Sequence, residues 1–398
     1  MRIATANSYS VSLDSLVNRQ TSLSSTQEQL TTGKRVNRAS DDPAAAARSE
    51  RALASERRSV ADQRAVDASD NAMTLTESAL GDAGGLLQQA REALVAAGNA
   101  TYTDAERAGV ANQLADLRQQ LFAVANRTDG SGTYLFGGQG STQAPFSDVP
   151  GGVQFQGTAG NVQAASGDAL PLTVDGDTTW MRARTGNGVF TTRAVTSTGS
   201  AWIDTGSVID PSALTSSTYS IQFSVAAGVT TYSVLKDGAA TAQTNLAFTP
   251  GQAVQVDGMS ATITGQPANG DAFELAPSTA TLSVFGALDK AITDLKTSGR
   301  TGTQRAQANV TNLSNVDAVL NHVLSGRTQV GATMNRVSAV TDRLSALKLS
   351  SQTERSNAED LDMTQAISDF SNQQTGYDAA LKAYSMVQRL SLFNYLNP

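Results

Sequence analysis

The sequence predicts a multi-domain α+β protein: a long antiparallel helical coiled coil or bundle formed by the two chain ends, with an antiparallel β domain inserted between them. Three observations lead there. Both ends carry apolar residues at alternating steps of three and four. The middle, from Ser131 to about Pro277, shifts abruptly to Gly, Thr, Ser and Val with period-two runs. Aromatic residues are only 5% of the 398, which favours long, thin helices over one large core.

The first helix carries Tyr9, Leu13, Leu16, Leu23 and Leu30 on one heptad lattice, with Gln20 and Gln27 in the two remaining seam positions. It stops near Gly33. A loop with Lys34, Arg35, Asn37 and Arg38 follows, and Asp42 then caps a new helix with Pro43 at its first position. A calcium site at Asp41 and Asp42 is the sharper reading of that pair; capping is the simpler one. Val66, Met73, Leu80, Leu87 and Leu94 repeat at intervals of seven along the second helix, which passes Gly84-Gly85, a sign of close helix contact or a bend. Gly98-Asn99 ends it. Thr103 and Glu106 form a capping box for the third helix, marked by Val110, Leu114, Leu117, Leu121 and Val124.

In the β region Tyr219, Ile221, Phe223 and Val225 alternate, as do Val254 and Val256, and Asp237-Gly238 and Asp257-Gly258 are hairpin turn signals. Trp180 and Trp202 read as core anchors, with carbohydrate stacking as the alternative. Helices return at Phe285, Leu288, Ile292 and Leu295, then at Ala306, Val310, Leu313, Leu320 and Leu324, with Gly326 as punctuation.

The last stretch carries Val337, Val340, Leu344 and Leu347, then Ala358 and Leu361. After a slip come Ile367, Phe370, Tyr377, Leu381 and Tyr384, and finally Leu390, Leu392, Phe393 and Leu396. With no proline between Gly331 and Pro398, the sequence allows one helix of roughly 100 Å. Its narrow stripe needs a partner, and the first helix supplies one. An ordinary pair of amphipathic helices in a bundle is the alternative. The seam expected between them comprises Tyr9, Leu13, Leu16, Leu23 and Leu30 with Ile367, Phe370, Tyr377, Leu381, Tyr384, Leu392 and Phe393. Domain boundaries follow: 1–44 with 345–398 as the terminal coil, 45–188 with 278–344 as a helical bundle with a β-hairpin region, and 189–277 as the inserted all-β domain.

A formal charge of −7 and no basic block argue against nucleic-acid binding. The chain has no cysteine, which removes disulfides, thiol catalysis and thiolate metal sites. No apolar run is long enough to cross a membrane, so no membrane insertion is expected, and Met1 to Ser10 lacks the apolar core of a secretory signal. The single histidine, His322, reads as a structural or solvent-facing helix residue. One histidine excludes ordinary Ser-His-Asp arrangements and multi-histidine metal sites. No catalytic residue, cofactor or metal is expected.

Met1-Arg-Ile-Ala-Thr and the run Gln29-Leu-Thr-Thr-Gly-Lys-Arg-Val-Asn-Arg-Ala-Ser-Asp-Asp-Pro43 resemble the N-terminal signature of bacterial flagellins and flagellar junction proteins. Arg327, Gly331-Ala332 and Asn335-Arg336 are similar to the start of the C-terminal helix in that superfamily. Within it, Thr133-Tyr-Leu-Phe-Gly-Gly138, the run Gly265 to Phe273 and the ending Ser391-Leu-Phe-Asn-Tyr-Leu396 look like hook-associated junction proteins. The resemblance implies a non-enzymatic, extracellular structural protein of the flagellum. It would form a ring layer with copies of itself between a hook-side junction protein and flagellin. It also implies type III export without a cleaved signal, and a cytoplasmic export chaperone. A flagellin-type filament subunit is the nearest alternative; a surface lectin or hydrolase built on the β insertion is a remote one.

Overall fold

The computed structural model describes residues 2–140, 143–165 and 167–396, with terminal side chains described from Tyr9 to Met386. Three helices come first: α1 (Arg2–Thr32), α2 (Pro43–Ala97) and α3 (Asp104–Ala125). A two-stranded hairpin follows, β1 (Phe146–Val149) and β2 (Gly152–Phe155). The β region then runs through β3 (Phe190–Thr196), β4 (Trp202–Ile203), β5 (Ser207–Val208), β6 (Tyr219–Ala226), β7 (Val229–Lys236), β8 (Ala239–Ala240), β9 (Leu246–Ala247), β10 (Ala253–Val256), β11 (Met259–Thr264) and β12 (Ala272–Pro277). Helices α4 (Val284–Lys296), α5 (Gly302–Glu359) and α6 (Met363–Leu396) close the chain. Two compact units result: Ala65–Val340, and Met1–Arg64 together with Thr341–Pro398.

In the unit Ala65–Val340, the heptad Val66, Met73, Leu80, Leu87 and Leu94 of α2 is fully buried. Leu114, Leu117 and Leu121 of α3 and Phe285 and Leu288 of α4 join Met73, Leu80, Leu87 and Leu94 in one core. The capping box forms as the spacing predicts: the Thr103 N–H donates to Glu106 Oε2 at 2.7 Å and the Glu106 N–H to Thr103 Oγ1 at 3.3 Å. At Gly84 an added Cβ would lie 3.7 Å from Leu324, ordinary packing contact.

Two expectations for α5 fail. Gly326 does not punctuate it; the helix continues, and the glycine lies under Thr179. Its buried stripe is Val316, Val319, Val323 and Val330, whereas Leu313 and Leu320 are partly covered and Leu324 is exposed.

The core gathers an aromatic cluster. Trp180, in a short π-helical segment Asp177–Met181, stacks on Phe285 at 5.9 Å and 11°, with Phe136 edge-on at 5.3 Å. Phe136 belongs to the Tyr-Leu-Phe-Gly-Gly motif. Gly138, which follows it, sits at φ +67°, where a Cβ would meet the Thr158 carbonyl oxygen at 1.8 Å, so only glycine fits.

Strands β3 to β12 form two sheets over one core of Tyr219, Ile221, Phe223, Val254, Val256, Ile263, Phe273 and their neighbours. One has the order β3-β12-β6-β7-β8, with β9 also on β7; the other is β10-β11-β4, with β5 on β11. All pairings are antiparallel. Asp257-Gly258 turns β10 into β11 with both φ angles positive, at 36° and 78°, the type I′ geometry that matches strand twist. Trp202 is only half-buried, less of an anchor than Trp180. Gln307 of α5 clamps the backbone of β4, accepting from the Ile203 N–H at 2.9 Å and donating to its carbonyl at 3.2 Å.

The run Gly265 to Phe273 acquires a structural job. Asp271 is fully buried and accepts from the N–H groups of Thr198 (2.7 Å), Gly199 (3.1 Å) and Ala268 (2.8 Å) and from Thr198 Oγ1. Burial pushes its pKa up, but these donors outweigh burial and hold it below the ordinary carboxylate value. Asp294, half-buried between Lys290 and Arg300, is likewise lowered: burial opposes, and bonds from Lys290, Arg300 and Asn312 prevail. A carboxylate with a depressed folded pKa contributes stability that is fully present above its unfolded pKa, near 3.9, and lost as pH falls through the folded value. The melting temperature of the chain should therefore be flat near neutrality and fall below about pH 4. Asp271→Asn should lower it at neutral pH and flatten the acid slope. An unchanged slope in that variant would remove Asp271 from the account.

Candidate assembly surface

In the other unit the chain ends pair. Thr26 Oγ1 donates to Gln373 Oε1 at 2.9 Å, the Tyr9 and Tyr384 rings meet at 5.4 Å with their hydroxyls hydrogen-bonded, and the Leu361 N–H donates to the Gly33 carbonyl at 3.0 Å. The order of these contacts makes α1 and α6 antiparallel.

The single long C-terminal helix does not form. It stops at Glu359 and restarts at Met363. The break is made by the loop after α1: the Arg35 N–H donates to the Glu359 carbonyl at 2.7 Å, beside a backbone bridge between Lys34 and Asp360. Arg35 also donates to the Ala358 carbonyl at 2.9 Å and pairs with Asp42, and Lys34 Nζ lies 3.2 Å from Glu359. Asp362 caps the restart, accepting from the N–H groups of Thr364 and Gln365. Asp42 caps α2 through the Ala45 N–H at 2.9 Å, with Pro43 at the first helical position. That bond and the Arg35 pair hold Asp42 below the ordinary carboxylate value. Asp41 accepts from the N–H groups of Asn37 and Arg38. The residues from Gln29 to Pro43 are thus a clamp around the break in the returning chain. Beyond it, Ser49 donates to Glu359 at 2.8 Å and Gln352 to Glu56 at 2.9 Å, tying α2 to α5.

The seam itself is half as the heptads predict. Leu16 is 8% exposed, Leu23 and Leu30 are half-buried, and Phe370, Tyr377 and Tyr384 face them with Ala366, Gln373 and Ala380. The covered residues of the second column on α1 are Ser12 and Thr26, one residue before Leu13 and Gln27. Gln20 and Gln27 are exposed, and Arg19 reaches across toward Gly376 instead. Leu13 is 45% exposed, Val17 52%, Ile367 57% and Leu381 40%, while Tyr9 packs on Tyr384 yet keeps much of its ring in solvent. Leu392 and Phe393 lie outside the described side chains. The sequence reading missed Val17, four residues after Leu13 and so on its face of the helix.

The pair therefore buries one narrow seam and leaves an apolar flank uncovered. Among the described residues no group of three or more His, Cys, Asp and Glu could hold a metal, and no helix is long and apolar enough to cross a membrane. His322 donates from Nε2 to the Thr178 carbonyl at 2.7 Å, the structural role expected of it.

Comparison with known proteins agrees with this architecture. Residues 3–141 match the bacterial flagellin N-terminal helical region and residues 313–396 its C-terminal helical region, together more than half of the chain. Flagellar hook-associated protein 3 of Salmonella typhimurium is 36% identical over 152 residues, a match spanning 38% of this chain and 48% of that protein. Its Escherichia coli counterpart is 27% identical over 394 residues, 99% of each chain. The crystal structure of Xanthomonas campestris FlgL superposes with a TM-score of 0.68 at 28% identity, over 77% of this chain and 99% of that one. These are structural proteins of the flagellum, not enzymes. The chain belongs to the flagellin superfamily, in its hook-associated protein 3 (FlgL) family.

Proposed function

We propose that this hook-associated junction protein acts as an adaptor layer: copies of the chain pack through their α1–α6 pairs into a ring, with a hook-side junction protein on one side and flagellin on the other. The observation that carries the reading is the uncovered flank at Leu13, Val17, Ile367 and Leu381. Exposed apolar rows rimmed by polar residues mark surfaces that another protein covers. On the same reading the chain leaves the cell unfolded through the flagellar type III channel, attended beforehand by a cytoplasmic chaperone, and works outside the cell. Cells lacking the chain should carry hooks without filaments and shed flagellin monomer into the medium. Attached filaments and normal swimming in such cells would overturn the adaptor reading. Loss of the filament protein itself would favour a filament subunit.

A second expectation concerns the free monomer. Two helices joined along one narrow seam are marginal in water, and packing against neighbours supplies the rest. Trypsin should cut at Arg19 and Lys382, both exposed, well before Arg118, which is mostly buried and bonded to Asp289 at 2.7 Å. Equal cleavage rates at these sites would show the terminal pair to be stable alone.

A further inference from the structure

Near the ends of α2 and α4, against α3 and the start of α5, lies a cavity of about 20 Å³ lined by Ala97, Arg107, Asp294, Arg300, Asn309 and Asn312 among others. Room for one water requires roughly 10–15 Å³ on this measure. Three buried side-chain atoms without a protein partner belong to its lining: Arg107 Nε, Asn309 Oδ1 and Asn312 Oδ1. We propose that one water molecule is an integral part of this fold, bound in the cavity and hydrogen-bonded to all three.

The surroundings decide the ligand's chemistry. Arg107 is buried, and its two terminal nitrogens are committed, Nη1 donating to the Ala97 carbonyl at 3.3 Å and Nη2 to the Tyr102 carbonyl. Nε is the one nitrogen of the three that is buried with no partner at all. The Asn312 amide cannot be turned around without loss, because its Nδ2 donates to Asp294 Oδ2 at 3.1 Å and a carboxylate accepts only. Its Oδ1 is therefore an acceptor in need of a donor. Asn309 adds a second acceptor; its Nδ2 lies against Gly98, where a Cβ would come within 2.5 Å of it.

The site offers one donor and two acceptors. A water accepts one bond and donates two, which satisfies all three groups. A cation is disfavoured by the Arg107 N–H and the guanidinium of Arg300, and an anion by the two amide oxygens. The water would join α3 to α5 where the α2–α3 and α4–α5 connections meet. It gives a partner to the Nε of a guanidinium that holds the carbonyl of Ala97, the last residue of α2.

A crystal structure of the full chain with ordered solvent tests this directly. The expected result is one peak with the scattering of oxygen within about 2.7–3.2 Å of Arg107 Nε, Asn309 Oδ1 and Asn312 Oδ1. An empty cavity, or a heavier or anomalously scattering ion, would overturn the proposal. Asn309→Leu supplies a readout whose sign differs between wet and dry cavities. If the site is wet, the leucine displaces the water and orphans Arg107 Nε and Asn312 Oδ1, lowering Tm by about 2–8 °C. If it is dry, the same change removes one orphaned amide and fills a void, and Tm holds or rises, which refutes the bound water.

Discussion

Leu16→Asp should leave the chain secreted and abolish filament attachment. Leu16 is the most buried leucine of α1, 8% exposed in the seam with α6. An ionised, unpaired carboxylate there costs several kcal/mol, on the order of 2–7 even for a merely polar group. A two-helix seam has little stability to spare, so the pair opens. The core around Phe285 and Leu87 belongs to the other unit, and its melting should be unchanged. Leu13→Asp separates the contributions. Leu13 is 45% exposed, so the charge costs the free chain little, yet it falls in the flank assigned to neighbouring copies. Electron microscopy of hooks, with immunoblots of the medium, reads both variants. Swimming cells with Leu16→Asp would reject the seam, and swimming cells with Leu13→Asp would reject the flank as an interface.

The largest loss of intrinsic stability is expected at Phe285. Its ring stacks on Trp180 at 5.9 Å, meets Phe146 at 5.9 Å and Phe122 at 6.1 Å, and is fully buried. Truncating such a side chain to alanine costs about 3–5 kcal/mol, because the lost burial is joined by a cavity the rigid neighbours cannot fill. For a unit of this size that lowers its Tm by on the order of 10 °C. Trp180→Phe should cost much less. Trp180 Nε1 is buried without a partner, and phenylalanine removes that orphaned N–H while keeping a ring against Phe285. Calorimetry of both variants decides it. Equal losses would show that Trp180 Nε1 is not a liability.

Legibility of the fold followed the locality of its causes. The stripe from Val66 to Leu94, the Thr103–Glu106 box, the Asp42-Pro43 start and the alternation Tyr219, Ile221, Phe223 were readable because each depends on residues within a turn or two of itself. The elbow was not. Residues 33–35 and 359–361 are far apart in the chain, and their backbone bonds leave no periodic trace; the only local sign of the break is Asp362 as a cap. The shift of α5's buried face from leucines to valines also depends on core neighbours remote in the chain.

The candidate surface divides along the same line. By itself the sequence determined that both ends are helices with one apolar face apiece, that those faces need each other, and that one histidine and no cysteine leave no ordinary triad or multi-histidine metal site. It could not say which side of the Leu16-Leu23-Leu30 column meets α6, since Ser12 and Leu13 differ by only about 100° around the helix. Tertiary packing chose Ser12 and Thr26 for the inside, with the exposed Arg19 reaching over Gly376 between them, because Gln373, Gly376 and Tyr384 offer small or polar partners there. That choice turns Leu13 and Val17 outward, and an apolar row left in solvent by the chain's own packing is the physical ground for a partner.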